Sequence, residues 1–539
     1  MHTDLSAHLH SDQCNTLISQ LKECHEKNRF IKPFACNEID LAVWNCLKKE
    51  RLEKKTVLVA RAVTISLAML CDWCIPDHLA DAFYGVPLEQ NSLFDIVVVK
   101  TVGGLFCWDS LHFLHIARFG YIFESDIVFA PLYPFVSWVI ASCIYCFLWF
   151  AISMSTCLLI SMLLVNFVLP LWICYLLHCM SKVKSTKVQC FKTDIVPVLF
   201  LINPATVFFI VPYSESLYLA LTLAALYILG FSHSAMTLLT RSNGLLNCIF
   251  IAAALAKCVV SRIGQSNYQQ FKDLCFHAFL GSWCAAIILV PFLLHQLSFY
   301  RYCFPELSSS ALIDKANLKE FIRHHLELVP LSPYWRSELN SQVELAWCGD
   351  NSTSYSSLPY KLVQSKYWNV GWFSYYKFKN MPRFAMALPV ILLAGDAIHN
   401  AFGGVSFTCR SSSSNRFSKW TTKLEAINWI KLAYGLHMTM LTAVCVFFVN
   451  IEVTTRLLFS ASPLLYWHIA DGIEKSQIMV SKKQIIERTV STYKIPKVVA
   501  KMIGRTITIQ SYKVWMCLWY FVCYGALGVV IHCNFLPWT

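Results

Sequence analysis

The chain has 539 residues, with 56% hydrophobic and 14% charged side chains, a net charge of +13 and a mean hydropathy of +0.50. A soluble globule carries about 25% charged residues, so this composition excludes an ordinary water-soluble protein and points to an integral membrane protein. The positive charge is concentrated beside apolar segments, the positive-inside pattern, which argues against a nucleic-acid partner.

In chain order, residues 1–55 are polar and contain no apolar core of a cleavable signal. Lys48, Lys49, Arg51, Lys54 and Lys55 place this segment in the cytosol as a flexible tail, and the first span then acts as the targeting signal. Apolar runs approaching 20 residues read as spanning helices, because backbone polar groups in lipid must be satisfied within the segment. Such runs are Thr56–Pro76, Phe135–Ala151, Cys157–Met180, Ile195–Val211, Leu217–Phe231, Leu245–Val260 and Cys275–Leu297. Pro382–Ile398, Ala426–Asn450, Leu457–Ile469 and Val514–His532 follow. The expectation is an all-α polytopic membrane protein of about 11 transmembrane helices.

From a cytosolic N-terminus, one crossing makes 77–134 a first luminal loop, and 56–297 forms an N-terminal transmembrane module. Seven crossings make 298–381 a second luminal loop, and 382–539 holds the C-terminal helices. The second loop is rich in Tyr, Trp, His and Pro without helical period, so a structured cap is expected there. It carries the sequon Asn351-Ser352-Thr353, a glycosylation candidate, and Cys303 and Cys348, which can pair in an oxidising lumen. Lys182, Lys184, Lys187 and Lys192 resist this topology: the same count leaves them luminal, so either a segment of 135–180 is re-entrant or the charge rule fails there. Lys482, Lys483, Arg488, Lys494, Lys497, Lys501, Arg505 and Lys513 keep 471–513 cytosolic, and the Ser-rich 408–423 stretch reads as a flexible cytosolic loop. Most of the 24 cysteines lie in apolar runs and read as packing residues, with no disulfide framework. Cys71-x-x-Cys74 lacks a second pair at zinc spacing.

Chemistry concentrates in the first luminal loop. In FCWDSLHFLHIARFGYIFESDIVFAPLYP, residues 106–134, Asp109, His112 and His115 recur every three residues, along one face of a helix. Three readings stay open: a three-ligand metal site, a structural helix cap with packed histidines, or a general base whose pKa is raised beside a low-dielectric boundary. A second polar cluster, Asn203-Pro204 to Pro212-Tyr213-Ser214-Glu215-Ser216, breaks two apolar runs. Glu215 suits the first turn of the next helix, where the dipole favours an anion; equally, Tyr213 and Glu215 suit a pocket facing Asp109, although the span count leaves this turn cytosolic. Arg241-Ser242-Asn243 and Arg456 sit at span ends, as snorkelling anchors or as ligands for a lipid phosphate.

The run WDSLHFLHIARFGYIFESDIVFAPLYP resembles the first luminal loop of the phosphatidylinositol-glycan class V family. The likeness continues through LINPATVFFIVPYSESLYLALT, TRSNGLLN, QSKYWNVGWFSYYKFKNMP, RLLFSASPLLYW and HCNFLPWT, and so covers most of the chain. Leu345-Ala346-Trp347-Cys348 is a looser match to a Pro-Trp-Cys element of that family.

The resemblance implies a GT-C-type glycosyltransferase of the endoplasmic reticulum membrane with a luminal site, taking dolichyl-phosphate mannose as donor and using no cofactor or metal. It further implies an α-1,6-mannosyltransferase acting on the first mannose of mannosyl-glucosaminyl-(acyl)phosphatidylinositol, the second mannosylation of GPI-anchor assembly. Asp109 maps onto the catalytic acid. Trp108, His112, Tyr213, Glu215, Arg241, Asn243, Tyr367, Trp368, Asn369 and Arg456 are the candidate substrate-binding residues, and a small accessory membrane subunit is a candidate partner. A β-linked donor and an α-linked product require inversion, hence one base and positive charge for the leaving phosphate. Two other classes remain as alternatives: a dolichyl-phosphate-sugar transferase with another acceptor, and a noncatalytic membrane subunit or lipid transporter.

Overall fold

The computed structural model describes the chain apart from residues 1–11, 28–35, most of 77–90, 150, 184–189, 229–230, 263–266, 305–320, 323–327, 339–343, 349–357, 404–427, 477–496 and 536–539. The sequon at Asn351 and the Ser-rich 408–423 stretch lie outside the described residues. Among the described residues the chain is helical, with an isolated bridge between Phe123 and Pro330 in place of any strand. It divides into two units, Met1–Ser66 and Leu67–Thr539.

In the first unit, the helix Asp12–Lys27 is tied to the opening of the helix Asn37–Cys74 by the disulfides Cys14–Cys46 and Cys24–Cys36. Ile18, Leu21 and Val43 are buried with Cys14 and Cys36, and the partly buried Cys24 and Cys46 pack against them. Two expectations are corrected. The first 55 residues contain a cross-linked helical hairpin where a flexible tail was expected, and these four cysteines form a disulfide framework. The physical reason is their spacing: Cys14 and Cys24 are as far apart as Cys36 and Cys46, so two antiparallel helices bring the pairs opposite each other at both ends.

Among the described residues of the second unit, six helices are long and apolar enough to cross a membrane: Met154–Lys182, Ser242–Val260, Phe279–Cys303, Phe378–Gly403, Trp429–Phe447 and Tyr512–Cys533. Leu132–Leu148 and Glu215–Tyr227 are apolar but shorter. Two of the expected spans are broken. The helix Cys190–Leu201 stops before Asn203-Pro204, and the chain turns through the short 3-10 helix Thr206–Phe209. The helix Thr454–Ala461 stops at Ser462, which is extended at φ −154°. Proline explains both, because the residue before it is pushed out of helical conformation. Hydropathy registers such a segment as one apolar run and does not register where its helix stops.

These breaks build the site. The Asn203 turn lies against the C-terminal helix Lys497–Cys533, where a Cβ on Gly525 would come within 3.2 Å of the Asn203 carbonyl oxygen. Asn534 then accepts the His78 N–H at 3.0 Å. Residues of the 298–381 loop pack on the first loop through Ile127, Phe299, Val329, Leu331, Leu345, Trp347 and Val363, all buried, with Cys303 and Cys348 joined by a disulfide. Cys71 and Cys74 are not disulfide-bonded.

Candidate active site

Asp109 opens the helix Asp109–Phe119, and the preceding Trp108 takes φ 59°, a left-handed conformation that is costly for a bulky residue. Such strain is held in place by its surroundings and recurs at functional sites. Here the Asp109 N–H donates to the Tyr213 hydroxyl at 3.3 Å. Tyr213 is in turn fixed from the Met154–Val183 helix, whose Asn166 amide donates to the Tyr213 carbonyl at 3.1 Å.

Arg456 joins the two clusters. Its Nη1 donates to Asp109 Oδ2 at 2.6 Å, and its Nε donates to Glu215 Oε1. Arg241 Nη1 donates to the same Glu215 oxygen. The Arg456 guanidinium also lies over the Tyr213 ring at 4.5 Å and the Phe208 ring at 5.1 Å, a favourable cation–π arrangement. Two carboxylates and two guanidiniums thus form one nearly neutral cluster. The Glu215 side chain is fully buried while that of Asp109 keeps 30% exposure, so Asp109 is the carboxylate a ligand can reach. Tyr213 and Glu215 stand beside Asp109, which overturns the span count that put their turn across the membrane from it. The helix stops before Asn203-Pro204 and the chain turns through Thr206–Phe209, so 195–211 is not one continuous span.

Burial disfavours the charged Asp109 carboxylate, but the charge and hydrogen bond of Arg456, with His112 and Arg241 beyond, outweigh that penalty and hold its pKa below the ordinary carboxylate range. The expected raised pKa is therefore corrected, because a cation in contact reverses what burial alone would do.

The histidines turn elsewhere. His112 Nδ1 is 3.2 Å from Asp126 Oδ1, and the ring is stacked between Phe83 and Phe129 at 4.4 and 4.5 Å. His115 Nε2 lies 3.7 Å from Asp126 Oδ2, and burial lowers its pKa to about 4, so this ring is neutral. Asp126 also accepts the Phe123 N–H at 3.0 Å. Asp109, His112 and His115 do not converge, and among the described residues no group of three His, Cys, Asp or Glu side chains is placed to hold a metal ion.

Tyr367, Trp368 and Asn369 fasten the second loop to the first. Buried Glu124 accepts the Tyr367 hydroxyl at 2.8 Å, the Ala346 N–H at 2.7 Å and the Lys366 ammonium. Trp368 packs against Phe129 at 6.1 Å, and Asn369 closes the helix Pro359–Trp368 at φ 52°. The Leu345–Cys348 element therefore has a definite job: it donates to Glu124, buries Trp347 and carries the disulfide. Around the Asp109 cluster several buried polar atoms have no hydrogen-bond partner among the described residues: Trp108 Nε1, Glu215 Oε2, His532 Nε2 and both amide atoms of Asn243. Such orphaned groups suit a polar ligand.

Sequence reasoning passed over Asn166 and His532 as site residues. The signal for Asn166 is a lone amide inside an apolar run. That for His532, whose ring lies 5.4 Å from Tyr213, is its place in HCNFLPWT.

A family model described as Mannosyltransferase (PIG-V) matches residues 49–539, and one described as Cytochrome c oxidase biogenesis protein Cmc1 like matches residues 1–66. The chain is similar to GPI alpha-1,6-mannosyltransferase 2 of Homo sapiens, at 28% identity over 89% of this chain and 96% of the relative. The protein of the same name from Cricetulus griseus is 27% identical over 92% of this chain and 100% of the relative. GPI mannosyltransferase 2 of Drosophila melanogaster is 27% identical over 78% and 91%. Among solved structures, the archaeal oligosaccharyltransferase AglB from Archaeoglobus fulgidus, in complex with an inhibitory peptide and a dolichol-phosphate, aligns with a TM-score of 0.40 at 9% identity, covering 89% of this chain and 56% of that one.

Proposed function

Because the chain belongs to the PIG-V mannosyltransferase family, a family of GPI-anchor glycosyltransferases, we propose that it moves mannose from dolichyl-phosphate mannose to the 6-hydroxyl of the first mannose of a mannosyl-glucosaminyl-(acyl)phosphatidylinositol, at the luminal face of the endoplasmic reticulum. The acceptor oxygen attacks the anomeric carbon and gives its proton to the Asp109 carboxylate. The bond from that carbon to the phosphate oxygen breaks with inversion, and dolichyl phosphate leaves with the electron pair. Arg456 and Arg241 supply the positive charge that the leaving phosphate requires.

The observation that carries this reading is the Arg456 contact to Asp109, within a cluster where Glu215 holds a second arginine. In the resting site the guanidinium makes Asp109 a weak base. A donor phosphate competes for that same guanidinium, so donor binding releases the carboxylate and leaves it in a poorly solvated place, where its affinity for a proton rises. Base strength is then coupled to donor occupancy.

The reading has two tests. In cells lacking their second GPI mannosyltransferase, expression of this chain is expected to restore GPI-anchored surface protein and consume the accumulated one-mannose intermediate; an expressed chain that leaves that intermediate unchanged overturns the acceptor assignment. The pH profile supplies the second. A lowered Asp109 pKa keeps the carboxylate ionised, and its stabilising contribution present, above the ordinary value near about 4, and both are lost only as pH falls through the lowered value. Accordingly kcat/KM, which reports the free enzyme, is expected to show no acid limb from Asp109 between about pH 5 and 7. An acid limb near pH 6 that Asp109→Asn abolishes would contradict the resting geometry.

A further inference from the structure

The segment WNVGWFSYYKFKNMPR, residues 368–383, contributes only its first two residues to the contacts described so far. It leads from the end of the helix Pro359–Trp368 into the span Phe378–Gly403. Four of its aromatic side chains are exposed: Phe378 at 92% and Trp372 at 62%, with Phe373 and Tyr376 beside them.

This outward display is built into the backbone. The Gly371 N–H donates to the Phe448 carbonyl at 3.1 Å and the Phe373 N–H to the Phe447 carbonyl at 2.9 Å. The Tyr376 hydroxyl donates to the Val446 carbonyl at 3.0 Å, and the Asn450 amide donates to the Trp368 carbonyl at 3.2 Å. Phe373 is held at φ 53°, where a residue with a side chain is strained. Aromatic rings fixed outward at the head of a span belong at the boundary between headgroups and acyl chains.

Three cations sit among these rings, and they are not equivalent. Arg383 is occupied: its Nε lies 2.6 Å from Glu452 and its Nη1 donates to the Tyr375 hydroxyl at 2.8 Å. Lys377 and Lys379 flank Phe378, are exposed, and have no ion pair among the described residues. Two ammonium groups at headgroup depth are complementary to a lipid phosphodiester. The segment is also mechanically joined to the site. Tyr367 and Lys366, just before it, grip Glu124 of the first loop, and Asn450, which fastens Trp368, precedes Arg456 by six residues.

We infer that Lys377 and Lys379, framed by Trp372 and Phe378, dock the phosphodiester of the acceptor glycolipid and so hold its glycan at a set height over Asp109. This rests on the acceptor reading above and adds a subsite to it. Binding is ionic and reversible, and no bond is made or broken there.

The test uses the full chain in zwitterionic liposomes with two acceptors bearing the same mannosyl-glucosaminyl glycan, one on phosphatidylinositol and one on an uncharged alkyl chain. Lys377→Gln with Lys379→Gln is expected to raise KM for the phosphatidylinositol acceptor roughly tenfold, leaving kcat and the KM for the uncharged acceptor unchanged. Lys377→Arg with Lys379→Arg is expected to retain the wild-type KM. Equal shifts for both acceptors, or none, overturn the inference. A defect that appears only when anionic bulk lipid is added, and then for both acceptors, assigns the lysines to the membrane surface and also overturns it. Should the wild-type chain mannosylate neither acceptor, the acceptor reading fails first and takes this subsite with it.

Discussion

Asp109→Asn is expected to lower the turnover number for mannose transfer by about 10³-fold, within the range a positioned general base contributes, while KM for each lipid changes by no more than a few fold. The asparagine keeps the shape of the side chain and an oxygen facing Arg456, so the polypeptide has little reason to rearrange. What it lacks is a site for the acceptor proton. Glu215 is not a substitute, because its carboxylate is buried and already receives Arg241 and Arg456. Single-turnover transfer from labelled dolichyl-phosphate mannose in membranes, at matched protein level, reads this directly. A variant that retains turnover within tenfold of wild type removes Asp109 from the role of base.

Arg456→Met is expected to damage both stability and turnover. Methionine fills much of the same volume but leaves Asp109 unpaired and Glu215 with Arg241 as its one remaining ion-pair partner. Removing one member of a buried ion pair costs about 3–5 kcal/mol, because the stranded charge loses its compensation. It also removes the cation assigned to the donor phosphate, so turnover should fall by at least about 10²-fold. Arg456→Lys separates the two effects. A lysine keeps the charge but presents a single ammonium, and cannot span two carboxylates as the planar fork does, so it should recover more stability than activity. Thermal unfolding in detergent together with donor kinetics checks the pair of variants. A methionine variant that melts and turns over like wild type refutes the assigned place of Arg456.

Much of the fold was legible because lipid imposes a length and a composition on each span. The runs 157–180, 245–260 and 426–450 reappear as Met154–Lys182, Ser242–Val260 and Trp429–Phe447. Continuity was less legible: 195–211 and 457–469 each read as one apolar run, and the information that breaks them resides in Pro204 and Pro463. Asp109, Glu215, Arg241 and Arg456 all stood out singly, each with a plain account as a cap or an anchor. Their meeting depends on contacts between residues separated by 241 and 347 positions in sequence, which no local pattern encodes. Tyr367 stood out too, but the structure gives it to Glu124, a carboxylate whose three donors come from more than 200 residues further along the chain.

The hairpin of the first unit proofreads its own cross-links. Four cysteines admit three pairings. Cys14 and Cys24 share one helix, and ten residues of helix rise about 15 Å, more than twice the separation a disulfide tolerates. The pairing within each helix is thus closed off once the helices exist. The crossed pairing, Cys14 with Cys36 and Cys24 with Cys46, would require the two helices to run parallel, whereas the observed bridges Cys14–Cys46 and Cys24–Cys36 set them antiparallel. Once the antiparallel hairpin exists, one isomer fits it.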